Sequence, residues 1–367
     1  MKILFDCRYT RIGRHDGISR YTARLVEELA KLHPVTMIIF DEDQLTMLPA
    51  LPWVKMPSPR AASEPAAALY VNKFEPDIVF TPMQTMGPWG RKFALVTVIH
   101  DLIYYTHRTP PRNMAWPVRL IWRGYHLWWG FQRGLLKEAD AHLADSETTR
   151  ALMERNNATP NPVTVVPLGV DLPEKTPERT APTGERELVY MGSFMEYKNV
   201  DLLAKALHQL PVYRLRLMSR ITGAERAHLS SLAPAGTIDF LDGATDAEYA
   251  DALQRATALV TASRDEGFGL PIVEAMAVGT PVVISDIPIF REIGGPHALR
   301  FDQESVESFV AAVRSLEDND EWMRRSKACA QFARRYSWPA AARALLEVLT
   351  ETYERWSERT GKKVRVR

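Results

Sequence analysis

Two α/β domains, each built on a doubly wound parallel sheet, are predicted for this chain on three observations. At 367 residues it exceeds one ordinary core. Short β-branched runs alternate with amphipathic stretches in two successive series, which is the grammar of βαβ units. Between the series the chain reads PEKTPERTAPTGERE, crowded with proline and charge and without apolar periodicity.

The elements follow in order. Residues 2–7 read as a first strand, followed by a helix from about Ile18 and a strand at 35–40. In that helix Ile18, Tyr21, Leu25, Leu29 and Leu32 fall three or four apart on one face, with Arg20, Arg24, Glu27 and Lys31 on the other. Further buried strands are expected at 77–81, 94–101, 141–146 and 163–167, whereas 41–63 carries no usable pattern. The first domain is therefore placed at 1–172 and the linker at 173–187. The second series runs through strands at 188–191, 214–218, 237–241, 259–262 and 281–285, with helices from about Val200 and from Pro271, giving a second domain at 188–337. Two late helices, 321–335 and 340–356, are separated by Trp338-Pro339, where proline breaks a continuous helix. Residues 338–367 are assigned to a C-terminal helix and a basic tail.

With 46 basic against 45 acidic residues, the charge balance gives no nucleic-acid-sized field, so any anionic ligand must be held locally. The two cysteines, Cys7 and Cys329, stand in different halves of the chain and point to a reducing, cytoplasmic setting. The opening MKILFDCRYTR meets charge at Asp6 and Arg8, and no apolar run reaches spanning length, so the chain is expected to be neither exported nor membrane-spanning.

The stretch EGFGLPIVE, residues 266–274, carries the most chemistry. Gly267 and Gly269 permit backbone geometries that side chains block, and Pro271 suits a first helical turn. Free amides around Leu270 then face outward, where a pyrophosphate is stabilised. Glu274, one turn into the helix, can accept hydrogen bonds from two ribose hydroxyls, and Glu266 can reach the hydroxyls of a sugar. A second string, YMGSFMEYKN at 190–199, runs from a strand into a glycine loop at Gly192 and Ser193, a cation at Lys198, and a helix that Asn199 could cap. A lysine beside a helix start suits a diphosphate leaving group.

EGFGLPIVE followed by AMAVGTPVV resembles the retaining nucleotide-sugar glycosyltransferases of family 4, the glycosyl transferases group 1. The resemblance covers nearly the whole chain and is strongest from Tyr190 to Glu292. It implies the GT-B fold: two Rossmann-like domains facing across a cleft, donor on the C-terminal domain, acceptor mainly on the N-terminal one, and a C-terminal helix crossing back to the first domain. It carries the diphosphate-binding lysine over to Lys198, and Phe268 enters the donor set with the rest of the EGFGL loop. The chain departs from the family at Ser193, where many members have an arginine; Arg264 or Arg220 could supply that charge. RHDGISRY, residues 14–21, resembles the family's N-terminal glycine loop, with Gly17 close to donor phosphates or acceptor. VIHDL, residues 98–102, ends a buried strand and places His100 at the reaction centre, with Asp101 as a possible orienting partner. Arg14, Asp16, Asp101 and Tyr104 are the implied acceptor contacts. VVPLGVD, residues 165–171, and Ser146-Glu147-Thr148 resemble structural motifs of the family.

The expected activity is retaining transfer of a hexose of the mannose or glucose type from a GDP- or UDP-sugar to a glycan or lipid-linked acceptor. Catalysis is assigned to His100, Glu266 and Lys198, with no metal and no cofactor. Both a front-face reaction and double displacement are open; Glu266 is read first as a sugar-binding residue. Alternatives are a nucleotide-sugar epimerase on the same architecture, or a catalytically degenerate sugar-binding or scaffold subunit. Residues 116–137, WPVRLIWRGYHLWWGFQRGLLK, interleave aromatics with Arg119, Arg123 and Arg133. They read equally as a surface for the anionic inner face of a membrane and as helix packed into the first domain. The basic end at 361–367 could add membrane attraction or be a frayed tail.

Overall fold

The computed structural model describes residues 1–84, 86–109, 116–175, 178–182 and 185–362, and of residues 121, 126 and 127 the main chain alone. The chain divides into two compact units, Met1–Gly169 with the segment from Ser337 onward, and Val170–Tyr336.

The first unit is a seven-stranded parallel sheet. Its strands are β1 (Ile3–Asp6), β2 (Val35–Ile39), β3 (Trp53–Lys55), β4 (Ile78–Thr81), β5 (Ala94–Ile99), β6 (Ala141–Ala144) and β7 (Val163–Val165), in the order β3-β2-β1-β4-β5-β6-β7. Every residue of β1, β4, β5 and β6 is buried, as a sheet covered on both faces requires. The helix Gly17–Leu32 packs against the C-terminal helix Trp338–Thr360. Asp16 caps the first of these, accepting from the Ser19 amide, and Ser337 caps the second. Pro339 is the second residue of the C-terminal helix, so it starts that helix, where its missing N–H costs nothing. Tyr353 donates to Asp77 at 3.2 Å and Arg359 pairs with Asp140, fixing this last helix within the first unit.

At the end of β1, Asp6 and Arg8 are both fully buried and joined at 2.9 Å, with Glu64 completing the pair at 2.7 Å and Thr81 donating to Asp6 at 3.1 Å. The two charges read at the N-terminus are therefore an internal network. Elsewhere in the sheet, His142 lies between two hydroxyls, Thr97 at 2.7 Å and Thr159 at 3.1 Å, which satisfy a neutral ring. Burial pushes its pKa down to about 4. The unfolded chain takes up this proton nearer pH 6.5 while the folded chain refuses it, so stability is present above that value and lost as pH falls toward 4. The expected loss is about 3 kcal/mol. Urea unfolding across this range checks it: His142→Asn should flatten the slope, and an unchanged slope would show that other groups set it.

The second unit has six parallel strands. They are β8 (Arg186–Tyr190), β9 (Tyr213–Leu217), β10 (Ile238–Phe240), β11 (Ala258–Thr261), β12 (Val282–Ser285) and β13 (Leu299–Phe301), in the order β10-β9-β8-β11-β12-β13. Winding reverses between β8 and β11, and ligands of such sheets bind at that reversal, outside the carboxyl ends of the strands. Its core holds Trp322, fully buried, whose indole donates to Thr257 O at 2.8 Å.

The segment read as an unpacked linker is partly built into this unit. Arg186 and Glu187 already belong to β8, and Arg179 binds Val278 O at 2.9 Å and Thr280 Oγ1 at 3.1 Å, 5.3 Å from the Trp322 ring. Residues 176, 177, 183 and 184 lie outside the described residues. The sequence pattern missed β3 and β13, both three-residue edge strands.

Candidate active site

Both chemistry-bearing strings of the second unit fall at its topological switch point, one after β8 and one after β11. After β8, the Tyr190 hydroxyl folds back to donate to Ser193 O at 2.6 Å; a Cβ on Gly192 would sit 2.8 Å from that hydroxyl. Glycine at 192 is thus required by the returning phenol. Ser193 is exposed. A 3-10 turn, Glu196–Lys198, then leads to Asn199, which takes a left-handed conformation (φ 50°) and does not cap the next helix with its side chain, as the sequence had implied. Its amide donates instead to Gln303 O at 2.7 Å.

After β11, Gly267, Phe268 and Gly269 are buried. Gly269 has φ 95°, with Ile272 Cδ1 only 3.1 Å from where a Cβ would stand. The chain enters the helix Leu270–Ala277 one residue before the start expected at Pro271, which is therefore its second residue, and no side chain caps that helix. Its first-turn amides and the helix dipole make an anion-binding end. Lys198 and Glu266 meet in an ion pair across the two loops, with side chains 11% and 21% exposed. Glu274 is half-buried on the same helix. Phe268, placed among the donor contacts from sequence, turns its ring into the core, edge-on to Tyr336 at 5.8 Å. Arg264 splices the loops: its amide donates to Tyr197 O at 2.7 Å and its guanidinium grips Glu304 at 2.6 and 2.9 Å. Arg220 follows β9 and lies over Gly243, which follows β10.

In the first unit, His100 follows β5. Its Nδ1 is 2.7 Å from Asp145 Oδ2 and its Nε2 is 2.8 Å from Pro82 O. Tyr21 sets its ring edge-on to the imidazole at 5.1 Å. Burial pulls the His100 pKa down, but the Asp145 charge and hydrogen bond outweigh it and the net shift is upward. Asp145 is itself raised, by burial first, with His100 opposing. The orienting carboxylate is therefore Asp145, and Asp101 instead closes its own turn by accepting from Ile103 N at 3.1 Å. Of the other acceptor contacts implied from sequence, Asp16 is a helix cap paired with Arg11, Arg14 is exposed, and Tyr104 packs edge-on to Trp122 at 5.0 Å. Gly17 is exposed at the helix start and no protein atom crowds it.

The family model described as glycosyl transferases group 1 matches residues 172–360, and that of glycosyltransferase family 4 matches residues 15–174. The chain belongs to the glycosyl transferases group 1. Its fold is GT-B, shared with sucrose-phosphate synthase from Thermosynechococcus elongatus (TM-score 0.69, 19% identity, 96% of this chain and 100% of that one). Anabaena HepE in complex with UDP-glucose is equally similar in fold (TM-score 0.69, 17% identity, 96% of this chain and 100% of that one). Among group 1 relatives, the serotype-specific mannosyltransferase WbdA of Escherichia coli is 27% identical over 62% of this chain and 29% of its own length. A D-inositol 3-phosphate glycosyltransferase of Thermobispora bispora is 30% identical over 59% of this chain and 57% of its own. The matches thus span less than two thirds of either relative.

For a group 1 member, the residue that sequence reasoning passed over is Asp145. It stood in plain view at the carboxyl end of an apolar strand, a place where ligand-site residues collect. What no local pattern supplied was that β6 lies beside β5.

Proposed function

We propose that the protein is a retaining hexosyltransferase that uses a nucleotide diphosphate sugar. The observation that carries this is the convergence, at one topological switch point, of Lys198, Glu266 and the uncapped helix start behind Gly269. The helix amides and Lys198 offer positive charge to a diphosphate as it departs, Glu266 suits sugar hydroxyls, and Glu274 suits the ribose. This charge needs no divalent metal. His100 of the first unit is assigned to the same reaction. The donor reading is GDP- or UDP-hexose, supported by the mannosyltransferase and the UDP-glucose-binding protein named above, and the acceptor reading is a glycan or lipid-linked sugar.

Thermal unfolding against GDP, UDP, ADP and their sugars tests the donor site. A saturating donor at about 100 times its Kd should add roughly 2.7 kcal/mol of stability, unchanged by EDTA and abolished in Glu274→Ala. Absence of a shift with every nucleotide would remove the donor site. Anomeric NMR of the product then decides retention.

We further propose that the protein docks on the anionic inner face of a membrane through the helices Trp116–Leu127 and Trp129–Leu136. Trp116, Leu120, Trp128 and Phe131 are 77%, 64%, 62% and 56% exposed. Between Asp101 and Glu138 the sequence has six basic residues and no acidic one, which complements anionic lipid. The inner side of these helices is anchored, with Trp129 stacked on Tyr105 at 4.1 Å. Among the described residues no helix is long and apolar enough to cross a membrane; residues 363–367 of the basic end lie outside the described residues. Cosedimentation with phosphatidylglycerol vesicles should exceed that with phosphatidylcholine by roughly tenfold or more, and Trp116→Ala with Phe131→Ala should weaken it. Equal binding to both lipids would rule out this surface.

A further inference from the structure

We propose that Asp145 is a positioning residue for the transfer reaction, holding His100 as a doubly protonated ring whose two N–H groups bind the ends of the strands on either side. The inference rests on the transferase reading above and adds a residue to it.

Pro82 follows β4, His100 follows β5 and Asp145 follows β6, and β5 lies between the other two. Both groups facing the ring nitrogens are acceptors, a carboxylate at 2.7 Å and a main-chain carbonyl at 2.8 Å. A neutral imidazole has one N–H and one lone pair, so it would set that lone pair against an acceptor whichever nitrogen lost its proton. With Asp145 ionised, only the imidazolium satisfies both contacts. His142 shows the contrast within the same sheet: its neighbours are hydroxyls, which serve a neutral ring.

The surroundings point the same way. Asp145 is 1% exposed, and its Oδ1 has no hydrogen-bond partner among the described residues. His100 is therefore the countercharge that makes a buried carboxylate tolerable. The titratable groups facing the ring are Asp145 from the end of β6, Asp101 beside it on its own strand end, and Tyr21 from the helix Gly17–Leu32. Burial, with Asp145 adding to it, pushes the Tyr21 phenol up, so it stays neutral. The two carboxylates favour the proton on the ring, and the neutral phenol adds no charge against it.

The consequence is mechanistic. A ring with both N–H groups engaged has no lone pair for an acceptor hydroxyl's proton, so His100 is not the general base. It ties the ends of β4, β5 and β6 into one rigid rim, and Asp145 keeps it in the state that does so. Loss of the ring proton at high pH releases the Pro82 contact and lowers kcat.

Side-chain 15N NMR of the full chain tests this without substrate, with His100 assigned by the signal missing from His100→Gln. The expected result is two protonated nitrogens at pH 7. In Asp145→Asn the ring titration and the alkaline limb of the kcat profile should move together to lower pH by about 1–3 units, with little change in donor KM. A neutral His100 at pH 7, or a profile that Asp145→Asn leaves in place, would overturn the proposal. If no donor supports transfer at any pH, the function proposed above fails, while the spectrum still decides the protonation of His100.

Discussion

Lys198→Ala should lower kcat by about 10²–10³-fold, the loss seen when one preorganised donor to a developing negative charge is removed. Lys198 ends a short turn fixed by its own amide, which donates to Met195 O at 2.9 Å, and the left-handed Asn199 directly after it sets the exit of the chain. The ammonium is held over the switch point by Glu266 and lies 5.1 Å from the Tyr197 ring. Removing it does two things in the same direction. The leaving diphosphate loses a cation, and Glu266 is left as an uncompensated carboxylate facing an anionic ligand. The effect should therefore exceed that of Glu266→Gln, which frees Lys198 for the phosphate while removing one contact to the sugar. Steady-state rates with the best donor decide the point. A change below about threefold in Lys198→Ala, under 1 kcal/mol of transition-state stabilisation, would show that the leaving group is stabilised elsewhere.

Arg8→Met is expected to destabilise the first unit by about 3–5 kcal/mol. Desolvation works against the Arg8 charge, but Asp6 and Glu64 outweigh it and its pKa moves upward, so the guanidinium stays charged. Each arm is used: Nε and Nη2 bind Asp6 at 2.9 and 3.0 Å, and Nη1 and Nη2 bind Glu64 at 2.7 and 3.0 Å, with Pro57 O at 3.2 Å from Nη1. Substitution leaves the fully buried Asp6 carboxylate with only Thr81 and the Arg8-position amide as donors. Replacing Asp6, Arg8 and Glu64 together by apolar residues should recover most of the loss, because the penalty lies in the orphaned charge and not in the missing attraction. Denaturant unfolding followed by a probe in the first unit measures it; a single variant as stable as the parent would mean that water reaches Asp6.

Much of this molecule is legible without coordinates. The strands at the centre of each sheet are apolar runs that must be covered on both faces, and the eleven predicted strands, from 2–7 to 281–285, all coincide with strands of the structure. The EGFGLPIVE loop is legible for another reason: glycine, proline and glutamate act there through their own backbone or the next turn of helix. Reading is least secure at the sheet edges. Of the four three-residue edge strands, β7 and β10 are predicted, whereas β3, with Trp53 and Lys55 exposed, and β13 are not. Which way the Phe268 ring turns, edge-on to Tyr336, is likewise nothing a sequence states.

The sequence by itself determined the two α/β series and the turn chemistry of the EGFGLPIVE and YMGSFMEYKN loops, since each depends on residues within one turn or one strand of each other. Tertiary structure alone decided the partners. Lys198 and Glu266 are 68 positions apart, Arg8 and Glu64 56, and His100 and Asp145 45. Strand order brings two of these pairs together, β8 beside β11 and β5 beside β6, while Glu64 reaches Arg8 from the short 3-10 turn Glu64–Ala66. Charge state follows from that adjacency: two hydroxyls serve a neutral His142, whereas an ionised Asp145 and a main-chain carbonyl favour the proton on both nitrogens of His100.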